Sequence, residues 1–185
     1  MPVYTYTTID GPLVTTGLVG GINDNGQIVG SYTNNSGDHG FLLSGGTYTT
    51  LDDPLGVGHT LAWGVKASGQ VVGTYGGPGF LYSNGTYTTL NDPLAANGTF
   101  AHGINASGYV VGEYYDSNSV QLGFLETDGL YAPIDDPLGT RGTAAQGINN
   151  AGQIVGYYFD NAGNTHGFLE VRHLTRHRPP ARPRT

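Results

Sequence analysis

Short apolar runs alternate with polar turn segments along this chain, without the periodicity of an amphipathic helix. The runs are rich in Val, Ile, Tyr and Thr, and they are bounded by Gly, Asn, Ser or Pro. Runs of this kind are typical of short antiparallel strands joined by hairpins. In one stretch they occupy residues 61–65, 70–75, 79–82 and 86–90. The pattern therefore predicts a four-stranded sheet in this stretch.

The same stretch occurs four times. Its most regular part, Gly-Ile-Asn-x-x-Gly-Gln-Ile-Val-Gly or a variant, begins at Gly21, Gly64, Gly103 and Gly147, so the units are 43, 39 and 44 residues apart. Four strands in a period of about 40 residues are typical of a propeller blade. The sequence thus predicts an all-β fold, a β-propeller of four four-stranded blades, within a single domain at residues 1–171.

The two ends of the repeat region complement each other. Residues 3–9 contain the Tyr-Thr-Thr sequence of a fourth strand, whereas the last unit stops after its third strand near Leu169. We expect residues 3–9 to pair with residues 167–171, which would close the propeller without an exposed edge. The alternatives are an open ring that is completed by dimerisation and a fragment of a larger propeller.

Composition and charge narrow the possible partners. The chain has 32 Gly and no Cys, so glycine turns are abundant and disulfides and thiolate metal sites are excluded. Residues 172–185 carry five Arg, three Pro and no acid, and predict a disordered tail, while all 14 acids lie in the repeat region. An acidic body argues against binding to nucleic acid or to anionic membranes. No apolar run reaches the roughly 18 residues of a transmembrane helix.

The repeat resembles the HAF repeat, described as a probable extracellular repeat, in which a Gly-Ile-Asn-x-x-Gly-x-Val-Val-Gly stretch precedes a His-Ala-Phe-like triplet. Here the triplet reads His39-Gly-Phe41 and His166-Gly-Phe168 in two of the units. The resemblance spans all four units and implies a propeller-like, extracellular repeat protein of undefined activity. The first residues lack the basic start and apolar stretch of a signal peptide, so the sequence does not itself predict secretion.

Variation among the four units indicates where a ligand would bind. In a blade, the turns between strands one and two and between strands three and four lie on one face, and these turns are nearly constant. The other connections lie on the opposite face and vary, and repeat proteins usually bind on the variable face. Acids, amides and an aromatic ring there suit sugar binding, although they equally suit a solvated loop. The candidates are Asp38, His39, Tyr115, Asp116, Asp160 and Asn161.

The residue before the motif glycine also differs among units, reading Gly20, Trp63, His102 and Gln146. We expect this position to lie on the innermost strand, near the central channel. Trp63 could be a stacking platform for a ligand there, and His102 could be a polar contact. The alternative for both residues is packing.

No catalytic or metal motif occurs in the chain. The loops at residues 23–26 and 149–152 resemble calcium loops, but the equivalent loops offer few carboxylates against the six to eight oxygens that calcium takes. We therefore expect a non-enzymatic binding propeller without a cofactor or metal, a monomer or homodimer, whose ligand is a carbohydrate in a lectin-like mode. The alternative is a structural or protein–protein interaction module, and a glycoside hydrolase comes third.

Overall fold

Four antiparallel sheets follow one another around a common axis in the computed structural model, which describes residues 3–9 and 16–171. The described residues contain fifteen strands and no helix, and therefore no helix that could cross a membrane. The ends of the four inner strands line one cavity of about 270 Å³ on this axis. The prediction of an all-β, four-bladed β-propeller is confirmed.

The strands of each blade are consecutive in the chain, from the axis outward. Blade 1 contains β1 (Thr16–Ile22), β2 (Ile28–Asn34), β3 (Gly37–Ser44) and β4 (Thr47–Leu51). Blade 2 contains β5 (Thr60–Val65), β6 (Val71–Tyr75), β7 (Gly79–Ser83) and β8 (Thr86–Leu90). Blade 3 contains β9 (Thr99–Ile104), β10 (Val110–Tyr115), β11 (Gln121–Thr127) and β12 (Leu130–Ile134). Blade 4 contains β13 (Thr143–Ile148), β14 (Ile154–Phe159) and β15 (Thr165–Glu170).

The core lies between successive blades. The second strand of each blade packs against the first strand of the next, as β2 does with β5, β6 with β9, and β10 with β13. The central valine of each covered strand is fully buried, namely Val29, Val72 and Val111. Apolar area removed from water at these interfaces is the main source of stability.

Connections between blades repeat one hydrogen-bonding pattern. The buried Asp53 accepts a bond from the Leu55 amide through its Oδ1 atom at 2.9 Å, while its own amide donates to the Thr60 hydroxyl at 3.1 Å. The same pairing joins Asp92 to Thr99 and Asp136 to Thr143. These recurrent acids before proline therefore hold the loops, as Asx turns do. We refer to each as an Asp–Thr pair.

The predicted closure by the N-terminal segment is not formed. Residues 3–9 belong to no strand, Tyr6 is 91% exposed, and blade 4 has three strands among the described residues. The connection that follows this segment has Gly11 and Gly17 where an Asp–Thr pair should stand. The sequence of this connection therefore does not provide the Asp and Thr side chains that form the loop bonds elsewhere.

Residues at the junction between blades 4 and 1, which we call the seam, are exposed. Val155, which corresponds to the three buried central valines, is 49% exposed, and Val19 of β1 is 53% exposed. The equivalent of Val19 in blade 2, Ala62, is 1% exposed because blade 1 covers it. The predicted disordered tail at residues 172–185 lies outside the described residues.

Motif glycines let the inner strands of neighbouring blades approach closely. A Cβ atom on Gly64 would lie 2.8 Å from the carbonyl oxygen of His102, and one on Gly103 would lie 3.1 Å from the Cα of Gly147. At Gly147, the nearest atom to such a Cβ is Val155 Cγ2 at 3.4 Å, in its own blade. The motif glycine therefore has no room for a side chain wherever another blade packs against its strand.

Gly64→Ala should destabilise the protein by about 1–3 kcal/mol, because the new methyl group forces blades 2 and 3 apart. Gly147→Ala is the matched control at the same motif position, and its unfolding free energy should stay within about 0.5 kcal/mol of the parent. Urea unfolding followed by circular dichroism measures both. Equal destabilisation by the two variants would contradict this account of the seam.

Tyrosines of the fourth strands pack on the phenylalanine of the third strand in their own blade. Tyr87 of β8 packs on Phe80 with ring centroids 5.5 Å apart, and Tyr131 of β12 packs on Phe124 at 5.4 Å. Burial raises the pKa of Tyr131 to about 12, with Glu126 and Asp92 adding to the shift. The pKa of Tyr87 is also raised, first by burial and then by Tyr82, Asp52 and Asp53.

The raised pKa predicts alkaline destabilisation. Tyrosine in the unfolded chain ionises near pH 10, whereas folded Tyr131 ionises near pH 12, so the unfolding free energy should fall as the pH rises through this window. Tyr131→Phe should make that fall shallower in unfolding experiments at pH 9 to 12. Tyr109→Phe, at an exposed turn, serves as the control with the parental slope. An unchanged slope in Tyr131→Phe would refute the assignment.

Candidate functional site

A β-bulge occurs in every inner strand at the residue before the motif glycine. The pairing register shifts between Val19 and Gly21 in β1, and it shifts at the equivalent place in the other three inner strands. A bulge adds one unpaired residue and re-aims its side chain. The four bulge residues are Gly20, Trp63, His102 and Gln146.

Three of these side chains belong to one connected group. The rings of Trp63 and His102 lie 6.0 Å apart between centroids, at an interplanar angle of 56°. His102 Nε2 lies 2.8 Å from Glu113 Oε2, and Gln146 Nε2 donates to the same carboxylate oxygen at 3.2 Å. We call Trp63, His102, Glu113 and Gln146 the bulge cluster. It joins blades 2, 3 and 4.

Glu113 is the centre of the bulge cluster. It lies in β10 and is only 8% exposed, so its carboxylate has lost most of its water. Such a group is costly to bury without polar partners, and Gln146 donates a hydrogen bond to it. His102 Nε2 lies close to the same carboxylate, but this buried nitrogen has no hydrogen-bond partner within the described residues. Sequence analysis missed Glu113. A signal existed, because the other units have Ser31, Thr74 and Tyr157 at this strand position.

Tyr115 extends the cluster toward the variable-loop face. Burial raises the pKa of its hydroxyl, and the Glu113 carboxylate and Tyr157 raise it further. The hydroxyl is therefore protonated at neutral pH and can donate a hydrogen bond. Across the blade interface, Gln121 Nε2 donates to the Tyr157 hydroxyl at 3.1 Å. Tyr115 and Tyr157 thus lie close enough to each other, and Tyr115 close enough to Glu113, for electrostatic interaction.

In blade 1, Asp38 and His39 bond to residues of the blade, and the Asp38 amide also donates to the Gly58 carbonyl at 2.9 Å, in the connection to blade 2. Asp38 Oδ1 accepts the Thr33 hydroxyl at 2.7 Å, and His39 Nδ1 lies 2.9 Å from Asp52 Oδ1. The His39 ring stacks on Tyr32 with centroids 5.1 Å apart. Asp38 and His39 therefore brace the connection between β2 and β3.

In blade 4, Asp160 organises its own loop. Its carboxylate accepts bonds from the Asn164 amide side chain at 2.9 Å, the Asn164 backbone at 2.8 Å and His166 Nε2 at 3.1 Å. These bonds, the Asn164 side chain first, hold the pKa of Asp160 well below its usual range. Asn161 is exposed beside it. Both residues border an open pocket of about 590 Å³ that also includes Tyr158, Leu138 and His166.

Asp116 has a similar loop role in blade 3. Its Oδ1 atom accepts the backbone amides of Val120 and Asn118, each at 2.8 Å. These bonds, that of Val120 first, lower the pKa of Asp116. Of the eight predicted residues, the structure therefore brings Trp63 and His102 together, with Tyr115 nearby. Asp38 and His39 lie in β3, and Asp116, Asp160 and Asn161 lie in loops of blades 3 and 4.

Within the described ranges, no three His, Asp or Glu side chains form a group that could hold a metal ion. Comparison with known proteins gives no family-model match and no match to a curated protein. The HAF likeness therefore rests on the repeat residues quoted above.

Proposed function

We propose that this propeller is a non-enzymatic binding module of the lectin type, with the bulge cluster as its carbohydrate site. The observation that carries the proposal is the convergence of Trp63, His102 and Gln146 on buried Glu113, from the position where the four units differ. The other positions of the repeat motif are nearly constant because they form turns or pack between blades. The bulge position has no such role, and its residue differs in every unit.

The chemistry of the cluster suits a sugar. A pyranose ring presents an apolar C–H face, which can stack on an indole such as that of Trp63. Its hydroxyls both donate and accept, so they match an acceptor carboxylate at Glu113, an amide at Gln146 and an imidazole at His102. The Tyr115 hydroxyl adds a donor toward the variable-loop face. Asn161 and the blade 4 pocket are available to further residues of a longer glycan.

Binding rather than hydrolysis is proposed because the bulge cluster contains one carboxylate. Glycoside hydrolysis usually requires two, about 5 to 9 Å apart. A protein–protein interaction role is the second candidate, and the seam with exposed Val19 and Val155 favours it.

A glycan array, probed once with calcium and once with a chelator, should identify a sugar ligand, and calorimetry should then give its affinity. Trp63→Ala and Glu113→Gln should each weaken binding by about tenfold or more, since one removes the stacking surface and the other the charged acceptor. Trp63→Phe should retain most of the affinity because it keeps an aromatic face.

Tyr109 lies on the face of the constant turns, so Tyr109→Phe is the control that should leave affinity unchanged. Circular dichroism must show that each variant is folded. Binding to no glycan under either condition would refute the carbohydrate proposal. Full affinity in Trp63→Ala would move the site away from the bulge cluster.

A further inference from the structure

Among the described residues, β15 is the outermost strand of blade 4. In the other blades this third strand is covered by β4, β8 or β12. Beside the β15 edge lies a groove of about 310 Å³. Its walls are the start of the connection after β12 and the end of β15, namely Ile134, Asp135, Asp136, Pro137, Phe168, Leu169, Glu170 and Val171.

The equivalent position in blade 2 is filled by a tyrosine. There, Tyr87 packs on Phe80, contributes to the cluster that contains Leu51, and lies close enough to Asp52 and Asp53 for their charges to shift its pKa. Phe168, Ile134, Asp135 and Asp136 are the repeat equivalents of these four neighbours. The groove in blade 4 therefore has the lining that surrounds a tyrosine in blade 2, and we call it the tyrosine socket.

The segment 3–9 has the sequence that this socket accepts. Residues 5–9 read Thr-Tyr-Thr-Thr-Ile, and β8 reads Thr-Tyr-Thr-Thr-Leu. Tyr6 corresponds to Tyr87 and is almost fully exposed. Thr8 corresponds to Thr89, whose hydroxyl lies 2.9 Å from that of Tyr75. Tyr158 stands at the position of Tyr75 in blade 4.

Docking of this segment within its own chain is disfavoured by its connection. Residues 10–16 number seven, whereas the loop at residues 52–59 has eight. Gly11 and Gly17 replace the Asp–Thr pair that fixes the other loops. An intrachain docked segment would therefore lack the bonds that hold β8 in register. A second copy imposes no such loop geometry on the segment.

We propose that residues 3–9 of a second copy dock as the fourth strand of blade 4, with the incoming Tyr6 in the tyrosine socket. Reciprocal exchange gives a two-fold symmetric dimer, the usual form of a self-complementary interface. The register follows that of blade 2, where Leu81 pairs with Thr88, so Leu169 pairs with Thr7 of the other copy. The incoming segment adds a fourth strand to the outer side of β15.

The absence of cysteine makes the register testable by disulfide trapping. Thr7→Cys and Leu169→Cys are made as separate chains, one with a tag that changes its mass, and are mixed under mild oxidation. Opposed strand residues lie within the 4.4–6.8 Å Cα range of a disulfide. We expect a mixed covalent dimer on non-reducing gels. A Leu81→Cys, Thr88→Cys chain is the intrachain control for the same register.

Light scattering of the parent chain should give the mass of a dimer. Tyr6→Ala should weaken dimerisation by about tenfold or more, because the tyrosine socket loses its aromatic anchor. Tyr4→Ala is the matched control, since Tyr4 stands at the position of the turn residue Gly85, outside β8. Circular dichroism should show the same β signal in both variants, as the segment is exposed in the single chain.

Three results would overturn the proposal. A monomeric parent at all concentrations excludes the exchange. An intrachain disulfide in a chain carrying both Thr7→Cys and Leu169→Cys, without the mixed dimer, assigns the segment to its own socket. A dimer that neither forms the mixed disulfide nor responds to Tyr6→Ala uses another surface.

Discussion

The structure depends on the packing of each blade against the next. A central valine in the second strand is buried only because the inner strand of the following blade covers it, and the motif glycine lets the two inner strands come within contact distance. Where no blade follows, Val155 is half exposed and the glycine is no longer required for space. Stability is therefore a sum of neighbour interfaces, as in other repeat proteins.

Much of the fold could be predicted from sequence because the same pattern of strands and turns occurs in four units. Gly64 and its counterparts set the period, and short runs ending in turns set the strands. The end of the ring could not be predicted in this way. Residues 3–9 match a fourth strand, but docking also depends on a connection in which Gly11 and Gly17 replace an Asp–Thr pair. The similarity of residues 3–9 to a fourth strand does not indicate whether the adjoining loop can form its hydrogen bonds.

The candidate site was only partly predictable. Differences among units singled out Trp63 and His102, whose rings the structure places side by side. The bulge that places them there is a feature of strand pairing, which one strand's sequence does not reveal. Glu113 was missed because its neighbours in sequence are strand formers. Asp116 and Asp160 stay predicted ligand contacts, and in the structure each accepts hydrogen bonds from backbone amides of its own loop. Turn-forming and ligand-binding acids have the same composition, and only geometry separates them.

The bulge has a consequence for how such a protein can change. Since its residue is the one member of the inner strand that pairs with nothing across the ladder, substitutions there leave the hydrogen-bonded scaffold intact. Gly, Trp, His and Gln already occupy the same place in one chain. Four positions around one axis can thus diverge independently, and new recognition surfaces can arise from point mutations without a new loop or a new fold.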